Sequence, residues 1–358
     1  MHRDAIQIGR RKLETAVTTR ARPKAFSTLV VPAILLLLAI IVSAGMGAVR
    51  LSFGEVLAAL LHPSAAGDAG VILFTLRLPR VLAAGLVGAG LSATGVLFQG
   101  LFRNPLADPF ILGASGGAAL GGAIAVFLFP SLSFAGFGAI ELLAFGGSLL
   151  AMAIVWSLAK SGGHFAMENM LLAGFAVGTM LNAATAALAL RQEESNPGLR
   201  ILTAWLHGEV TVPSWMQLSF VAVIELVALV FALPLARQLN TLALSEEYAA
   251  QLGVRVKRLQ ILVVLTGSVL TALAVSLGGL IGFVGLLVPH FLRLIFGPDH
   301  FRLLPSAALS GAVFLIIADT IARTAFAPSE IPVGLLTAFL GGPAFLYLLN
   351  HRQRSSSL

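Results

Sequence analysis

Long runs of apolar residues, separated by short polar or basic stretches, make up most of this chain. The first run covers 29–49 without a charge, and about 20 apolar residues are enough to cross a bilayer as an α-helix. The runs at 109–140 and 259–289 are too long for one span, and Pro130 and the glycine pair at 278–279 are their natural interruptions. The pattern therefore predicts an all-α polytopic membrane protein. Its ten transmembrane helices are expected at 29–49, 81–102, 110–129, 140–159, 169–190, 213–236, 259–277, 280–296, 304–322 and 331–349.

Composition supports this class. The chain is 58% hydrophobic and 11% charged, with a mean hydropathy of +0.94, values typical of an integral membrane protein. Cysteine is absent, which excludes disulfides and thiolate metal sites. We expect one transmembrane domain at 29–350, with a basic tail at 1–28 and a short tail at 351–358. The first run predicts a spanning helix rather than a cleaved signal, and a signal-anchor interpretation changes little.

The distribution of basic residues sets the orientation. Ten spans place both termini on the same side of the membrane. If that side is the cytoplasm, its segments hold seventeen of the 23 Lys and Arg residues and the outer segments hold six. This bias follows the positive-inside rule and predicts that both termini are cytoplasmic. It also accounts for the net charge of +7 without any nucleic-acid partner.

A polar island at 240–258 interrupts the second half of the chain. It carries an N-cap residue, two acidic residues in the first turn, an apolar i, i+4 pair and a terminal glycine, which are Ser245, Glu246, Glu247, Tyr248, Leu252 and Gly253. These features predict a capped helix of about two turns on the cytoplasmic surface. Two interpretations are open: a handle by which a soluble partner moves the membrane helices, or an ordinary loop helix.

The chain lacks the sequence motifs of several classes of enzyme. No G-x-x-x-x-G-K-[ST] phosphate loop occurs, so the chain should not hydrolyse ATP itself. No H-E-x-x-H motif occurs and the histidines are scattered, so we expect neither a metal site nor catalytic residues. Gly113, Gly117 and Gly121 form a ridge of small residues that predicts close helix packing.

Two carboxylates fall within predicted spans, where ionisable groups are costly and are functional by default. Asp319 lies four residues before Arg323 and can pair with it. Glu225 has no partner nearby in the sequence, so a pathway role and a buried, hydrogen-bonded role both stay open.

Six short motifs occur in order between about residues 30 and 350. They are RLPR at 77–80, QGLFRNPLADP at 99–109, GFVGL at 282–286, VPH at 288–290, ADTIAR at 318–323 and IPVG at 331–334. Together they resemble the FecCD-type permease family of ABC importers for iron-siderophores, haem and vitamin B12. The resemblance implies the membrane subunit of an importer in the inner membrane, surrounded by lipid, that moves a large metal chelate from periplasm to cytoplasm.

The same resemblance implies a homodimer, two cytoplasmic ATP-binding subunits and a periplasmic substrate-binding protein. ATP and Mg²⁺ would bind to the ATPase subunits, so no cofactor is expected on this chain. A stand-alone secondary transporter is the alternative. It would rely on Glu225 and Asp319, and it leaves the polar island without a role. A membrane enzyme, the third possibility considered, has no assembled constellation of residues.

The resemblance also assigns site residues. Coupling to the ATPase is implied for Ser245, Glu246, Glu247, Tyr248, Ala249, Leu252 and Gly253. Docking of the binding protein is implied for Arg77, Arg80 and Arg323. The candidate gate and pathway residues are Ser161, Gly162, Gly163, Met167, Glu168, Asn182 and Glu225. One departure stands after Trp205, where the family commonly has Gly-Ser and this chain has Gly208 and Glu209.

Overall fold

The structure, a computed structural model, describes residues 25–47, 49, 51–62, 67–159, 167–193, 195–327 and 329–355. Most of these residues are helical. The α-helices are α1 (Ala25–Gly45), α2 (Phe53–Leu61), α3 (Gly67–Val71), α4 (Leu78–Leu101), α5 (Ala114–Leu128), α6 (Ala139–Ala159), α7 (Met167–Leu190), α8 (Pro197–Leu206), α9 (Trp215–Leu242), α10 (Glu246–Gln251), α11 (Val256–Gly278), α12 (Val284–Phe296), α13 (His300–Thr324) and α14 (Val333–Ser355).

Ten of these helices match the predicted spans. Seven helical segments of the described residues are long and apolar enough to cross a membrane, and α5, α12 and α14 contain shorter apolar helices. The prediction of an all-α, ten-helix membrane protein is therefore confirmed. The last helix continues to Ser355, so the described part of the predicted C-terminal tail extends α14.

The outer side carries elements that hydropathy did not predict. Helices α2, α3 and α8 lie there, and a π-helical turn, Ile72–Arg77, joins α3 to α4 without a break. A two-stranded antiparallel ribbon pairs β1 (Ser133–Phe134) with β2 (Phe137–Gly138) between α5 and α6. These elements are short and lie near the membrane surface, so the sequence carries no long apolar run that would predict them.

Helix α4 is the central helix of the bundle. Most of its residues are buried, because α9, α11, α12 and α13 surround it. The ridge of small residues on α5 packs on α6: a Cβ at Gly117 would lie 2.2 Å from the carbonyl oxygen of Gly147, and one at Gly121 would lie 2.0 Å from that of Leu143. The prediction of close packing is confirmed for these two glycines.

Helix α12 is too short to cross the bilayer by itself. Its 13 residues span about 20 Å, against about 30 Å for the hydrocarbon core. The segment before it, 279–283, is not helical, and Phe283 has a left-handed φ of 69°. Protein surrounds this segment, since its Leu280 carbonyl approaches Gly208 and Gly334 and Ile281 is buried. Non-helical backbone at membrane depth requires this kind of enclosure.

Candidate functional site

The polar island forms the helix that its sequence predicts. Ser245 is the N-cap of α10, and its hydroxyl accepts a 3.0 Å hydrogen bond from the Tyr248 N–H. Gly253 follows the helix with a left-handed φ of 85° and donates to the Ala250 carbonyl, while the Val254 N–H bonds to the Ala249 carbonyl. These two bonds are those of a Schellman motif. The predicted N-cap and terminal glycine are confirmed.

One face of α10 is anchored and the other faces are exposed. Ala249 is fully buried in the core, whereas Leu244, Tyr248 and Leu252 have 69%, 47% and 60% of their surfaces exposed. Glu246 and Glu247 are exposed beside them. We call these five exposed residues the cytoplasmic docking surface. Apolar side chains next to carboxylates, held on a rigid capped helix, suit a groove on a soluble partner.

A polar cluster at the cytoplasmic end joins α9 to α13. The Asn240 amide donates to Asp299 Oδ1 at 2.7 Å, and its oxygen accepts from the His300 N–H at 2.8 Å. Nearby, the Arg237 guanidinium lies 4.1 Å from the centre of the Phe301 ring. Sequence reasoning missed this cluster, although the Pro-Asp pair at 298–299 is a helix-start signal. The cluster joins Asn240, the first residue of the polar island, to the N-terminal end of α13.

Two of the three arginines assigned to docking are buried. Arg77 and Arg323 each expose 6% of their surface. Arg77 donates to the carbonyl oxygens of Ala44, Gly45 and Val49, and Arg323 donates to those of Ser43 and Met46 and to the Ser43 hydroxyl. These acceptors lie at the outer end of α1 and just beyond it, where helical carbonyls have no partner within the helix. Both guanidinium groups therefore fasten α1 to the bundle.

Asp319 lies between the other arginine contacts. Its carboxylate pairs with Arg323 at 3.1 Å, as predicted from their spacing, and with Arg80 at 3.1 Å on its other oxygen. Arg80 also pairs with the exposed Glu330 at 2.7 Å. Arg77 and Arg323, two of the three residues assigned to docking, are therefore engaged inside this chain. Docking of a binding protein stays a prediction, for which Arg80 at the edge of the cluster is best placed.

The structure describes only some of the candidate gate residues. Ser161, Gly162 and Gly163 lie outside the described residues, and Met167 and Glu168 begin α7. Asn182 lies on the exposed side of α7 together with Thr179. The opposite side packs against α5 and α6, and a Cβ at Gly174 would lie 2.1 Å from the carbonyl oxygen of Ile111, just before α5.

Glu225 lies inside the packed bundle. Only 3% of its surface is exposed, and its Oε1 atom has no hydrogen-bond partner among the described residues. The oxygen is 3.4 Å from the position that a Cβ on Gly90 of α4 would take. The neighbours of the Glu225 carboxyl are therefore helices of the same chain.

The motif at 99–109 contains two side chains that hold neighbouring elements in place. The Gln99 side chain donates to the carbonyl oxygens of Gly285 and Leu286 at 3.2 and 3.3 Å, which ties the end of α4 to the first turn of α12. Asp108 caps the short 3₁₀ helix Pro109–Leu112 by accepting from the Phe110 N–H at 2.8 Å. Burial raises the pKa of the Asp108 carboxyl to about 6, against the opposing effect of this hydrogen bond.

A cavity of about 800 Å³ opens on the outer side, between α6, α8 and the segment after α8. Its polar lining includes Arg80, Glu141, Arg200, His207 and Glu209. The Glu209 at which the chain departs from the FecCD pattern thus lies in this cavity. We call it the outer vestibule.

Ten membrane helices, an exposed capped helix between two of them and a cavity on the outer side are typical of a polytopic transport permease. The chain belongs to the FecCD transport family, whose profile matches residues 35–351. It is therefore a multi-pass protein of the inner membrane, in a family of ABC importer permeases for cobalamin, haem and siderophores.

Two individual relatives and one solved structure support the family assignment. The cobalamin import permease BtuC of Halobacterium salinarum is 44% identical over 80% of this chain and 75% of that protein. The hemin transport permease HmuU of Yersinia pestis is 41% identical over 90% of this chain and 95% of that protein. A solved metal-chelate type ABC transporter in an inward-facing conformation has a TM-score of 0.79 and 32% identity, covering 90% of this chain and 98% of that one.

Proposed function

We propose that this chain is the membrane subunit of an importer that moves a large metal chelate inward, powered by separate ATPase subunits. The observation that carries the proposal is the cytoplasmic docking surface: a capped helix anchored through Ala249, with Tyr248 and Leu252 turned outward. A soluble partner explains why apolar side chains are exposed there, beyond the membrane spans. The partner ATPase supplies the nucleotide and Mg²⁺ site that the sequence lacks.

A homodimer explains the exposed face of α7. Phe175 and Met180 expose 76% and 71% of their surfaces, and the polar Thr179 and Asn182 share this side of the helix. Polar side chains within a membrane span usually face protein or a water-filled path rather than lipid. We propose that a second copy packs near this face and that the chelate passes between the two copies, with the inner gate near 161–168.

A periplasmic binding protein would deliver the chelate to the outer side. Arg80 and Glu330 lie at the edge of the arginine cluster, and Arg80 also lines the outer vestibule. Charges at the rim of such an interface set the encounter rate and the register more than the affinity. Docking through Arg80 should therefore weaken as salt concentration rises.

The secondary-transporter alternative is less favoured. Asp319 is occupied by two arginines, which leaves Glu225 as the other carboxylate on which the alternative relied. That mechanism also gives the docking surface no role.

Leu252→Glu tests the coupling proposal, and Gln251→Glu is its matched control, because both residues are exposed on the same turn and gain the same charge. We expect both variants to fold. Leu252→Glu should weaken ATPase association by roughly 30-fold, the cost of losing a central apolar contact of about 2 kcal/mol. The measurement is co-purification of the ATPase together with chelate uptake into vesicles.

Gly253→Val provides a second test. A β-branched residue is strained at a φ of 85°, so the end of α10 should be displaced while the bundle stays intact. Normal assembly and uptake in both the Leu252 and the Gly253 variants would leave α10 as an ordinary loop helix.

A further inference from the structure

We infer that His207, in the outer vestibule, is an axial ligand for the metal of the transported chelate, and that the chelate is an iron porphyrin. The inference rests on the proposed import function and adds the substrate class. His207 is the C-cap residue of α8, is exposed, and lines the vestibule. It is thus within reach of a ligand that arrives from the outer side.

Hydrogen bonding fixes the tautomer of this imidazole. His207 Nδ1 lies 2.6 Å from the carbonyl oxygen of Thr203, one helical turn earlier. A carbonyl oxygen can only accept, so Nδ1 carries the proton, and Nε2 of the neutral ring holds its lone pair. Within the described part of the chain, no hydrogen bond or ion pair occupies Nε2. A backbone carbonyl on the far nitrogen is also the usual support of a metal-binding histidine.

The charges around His207 favour a ligand with a peripheral carboxylate. Arg200 lies seven residues earlier, so the two side chains share one face of α8 about 10 Å apart along its axis. Its exposed guanidinium makes no ion pair with any described residue, and it offers the paired donors that suit a carboxylate. Arg80 is balanced by Asp319 and Glu330. A carboxylate on the ligand would therefore pair with Arg200.

The remaining lining orients such a ligand. Glu141 and Glu209 would repel an acidic group placed near them and so direct it toward Arg200. Exposed apolar side chains, including Ile201 and Val212, line the same cavity and can cover a flat macrocycle.

Coordination chemistry separates the classes of chelate. A siderophore that supplies six donors saturates octahedral iron and leaves no position for imidazole. A corrinoid arrives with axial ligands of its own. An iron porphyrin occupies the four equatorial positions only, and histidine is a common axial ligand for its iron. An imidazole whose Nε2 is available, next to an arginine without an ion pair to any described residue, therefore matches the porphyrin best.

The experiment titrates hemin into the purified full-length chain in lipid nanodiscs and records the Soret band. We expect a shift typical of imidazole ligation in the native chain. His207→Ala should lose this shift and bind hemin at least about 10-fold more weakly, and added imidazole should restore the band. His62→Ala, which removes another exposed outer histidine, should behave as the native chain.

Two further measurements separate the parts of the inference. Arg200→Gln should weaken hemin binding by about 10-fold while leaving the Soret position unchanged, because it removes a charge-assisted bond and not the ligand. Metal-free protoporphyrin should bind the native chain and His207→Ala equally.

An unchanged hemin spectrum in His207→Ala, or partition of hemin into lipid only, would overturn the inference. Preferential binding of a ferric siderophore or of cobalamin would overturn the substrate class. Neither result affects co-purification of the ATPase, so failure of this inference is distinguishable from failure of the importer proposal.

Discussion

The burial of Arg323 leads to a prediction about stability. Its guanidinium makes four contacts: with Asp319 Oδ2 at 3.1 Å, the Ser43 carbonyl at 3.2 Å, the Ser43 hydroxyl at 2.7 Å and the Met46 carbonyl at 3.2 Å. Arg323→Met keeps much of the side-chain volume and removes all four. Two carbonyls at the end of α1 then lose this donor, and Asp319 keeps only Arg80.

The expected cost is large for a single substitution. Breaking a buried ion pair from one side typically costs about 3–5 kcal/mol, and the retained bond between Arg80 and Asp319 points to the lower end of this range. A loss of about 3 kcal/mol in the free energy of unfolding lowers the folding equilibrium constant by roughly 150-fold. Arg191→Met, at an exposed outer arginine, should change it by no more than about 0.5 kcal/mol.

The assay is reversible unfolding of the purified chain in mixed detergent micelles, without any binding protein. If Arg323→Met unfolds like Arg191→Met and instead weakens docking of the binding protein, Arg323 is a surface docking group. The role assigned to it in fastening α1 would then be wrong.

Three other predictions follow from the packing. Asn240→Ala should leave ATPase association intact but lower uptake about 10-fold, because α9 loses its bonds to α13, while Gln251→Ala should transport normally. Gly117→Val should cost roughly 3 kcal/mol of stability or prevent folding, and Gly146→Val, where a Cβ meets nothing within 4 Å, should be tolerated; equal stability of the two would contradict the helix contact. Glu225→Leu should retain uptake and be as stable as the native chain or up to about 2 kcal/mol more stable, since it removes an unpartnered buried oxygen; loss of uptake in an assembled complex would revive a coupling-ion role.

The spans, their number and the capped helix at 246–251 could be predicted from sequence, because each depends on local physics. Apolar runs must lie in the bilayer, and the residues from Ser245 to Gly253 satisfy the ends of their own helix. The spacing of Asp319 and Arg323 likewise predicted their pair, because one helical turn separates them.

Long-range contacts could not be predicted in this way. The sequence places Arg77 in an outer basic segment. Its burial depends on carbonyls of α1 some 30 positions away in the sequence. The link between Asn240 and Asp299 joins two helices separated by the whole of α11 and α12. The outer vestibule likewise forms only when α6 and α8 come together, so its lining residues share no sequence pattern.

The short helix α12 also has a consequence for how the chain is made. An α-helix of 13 residues is a poor membrane segment during synthesis, because its entry segment at 279–283 would expose polar backbone to lipid. That segment is covered by Gly208, before α9, and by Gly334 and Gly341 of α14. The ribosome makes α14 after α12, so α12 should reach its final depth only after α14 has emerged. Nascent chains that end at Phe296 should therefore release α12 to the aqueous side, and chains that include α14 should hold it in the membrane.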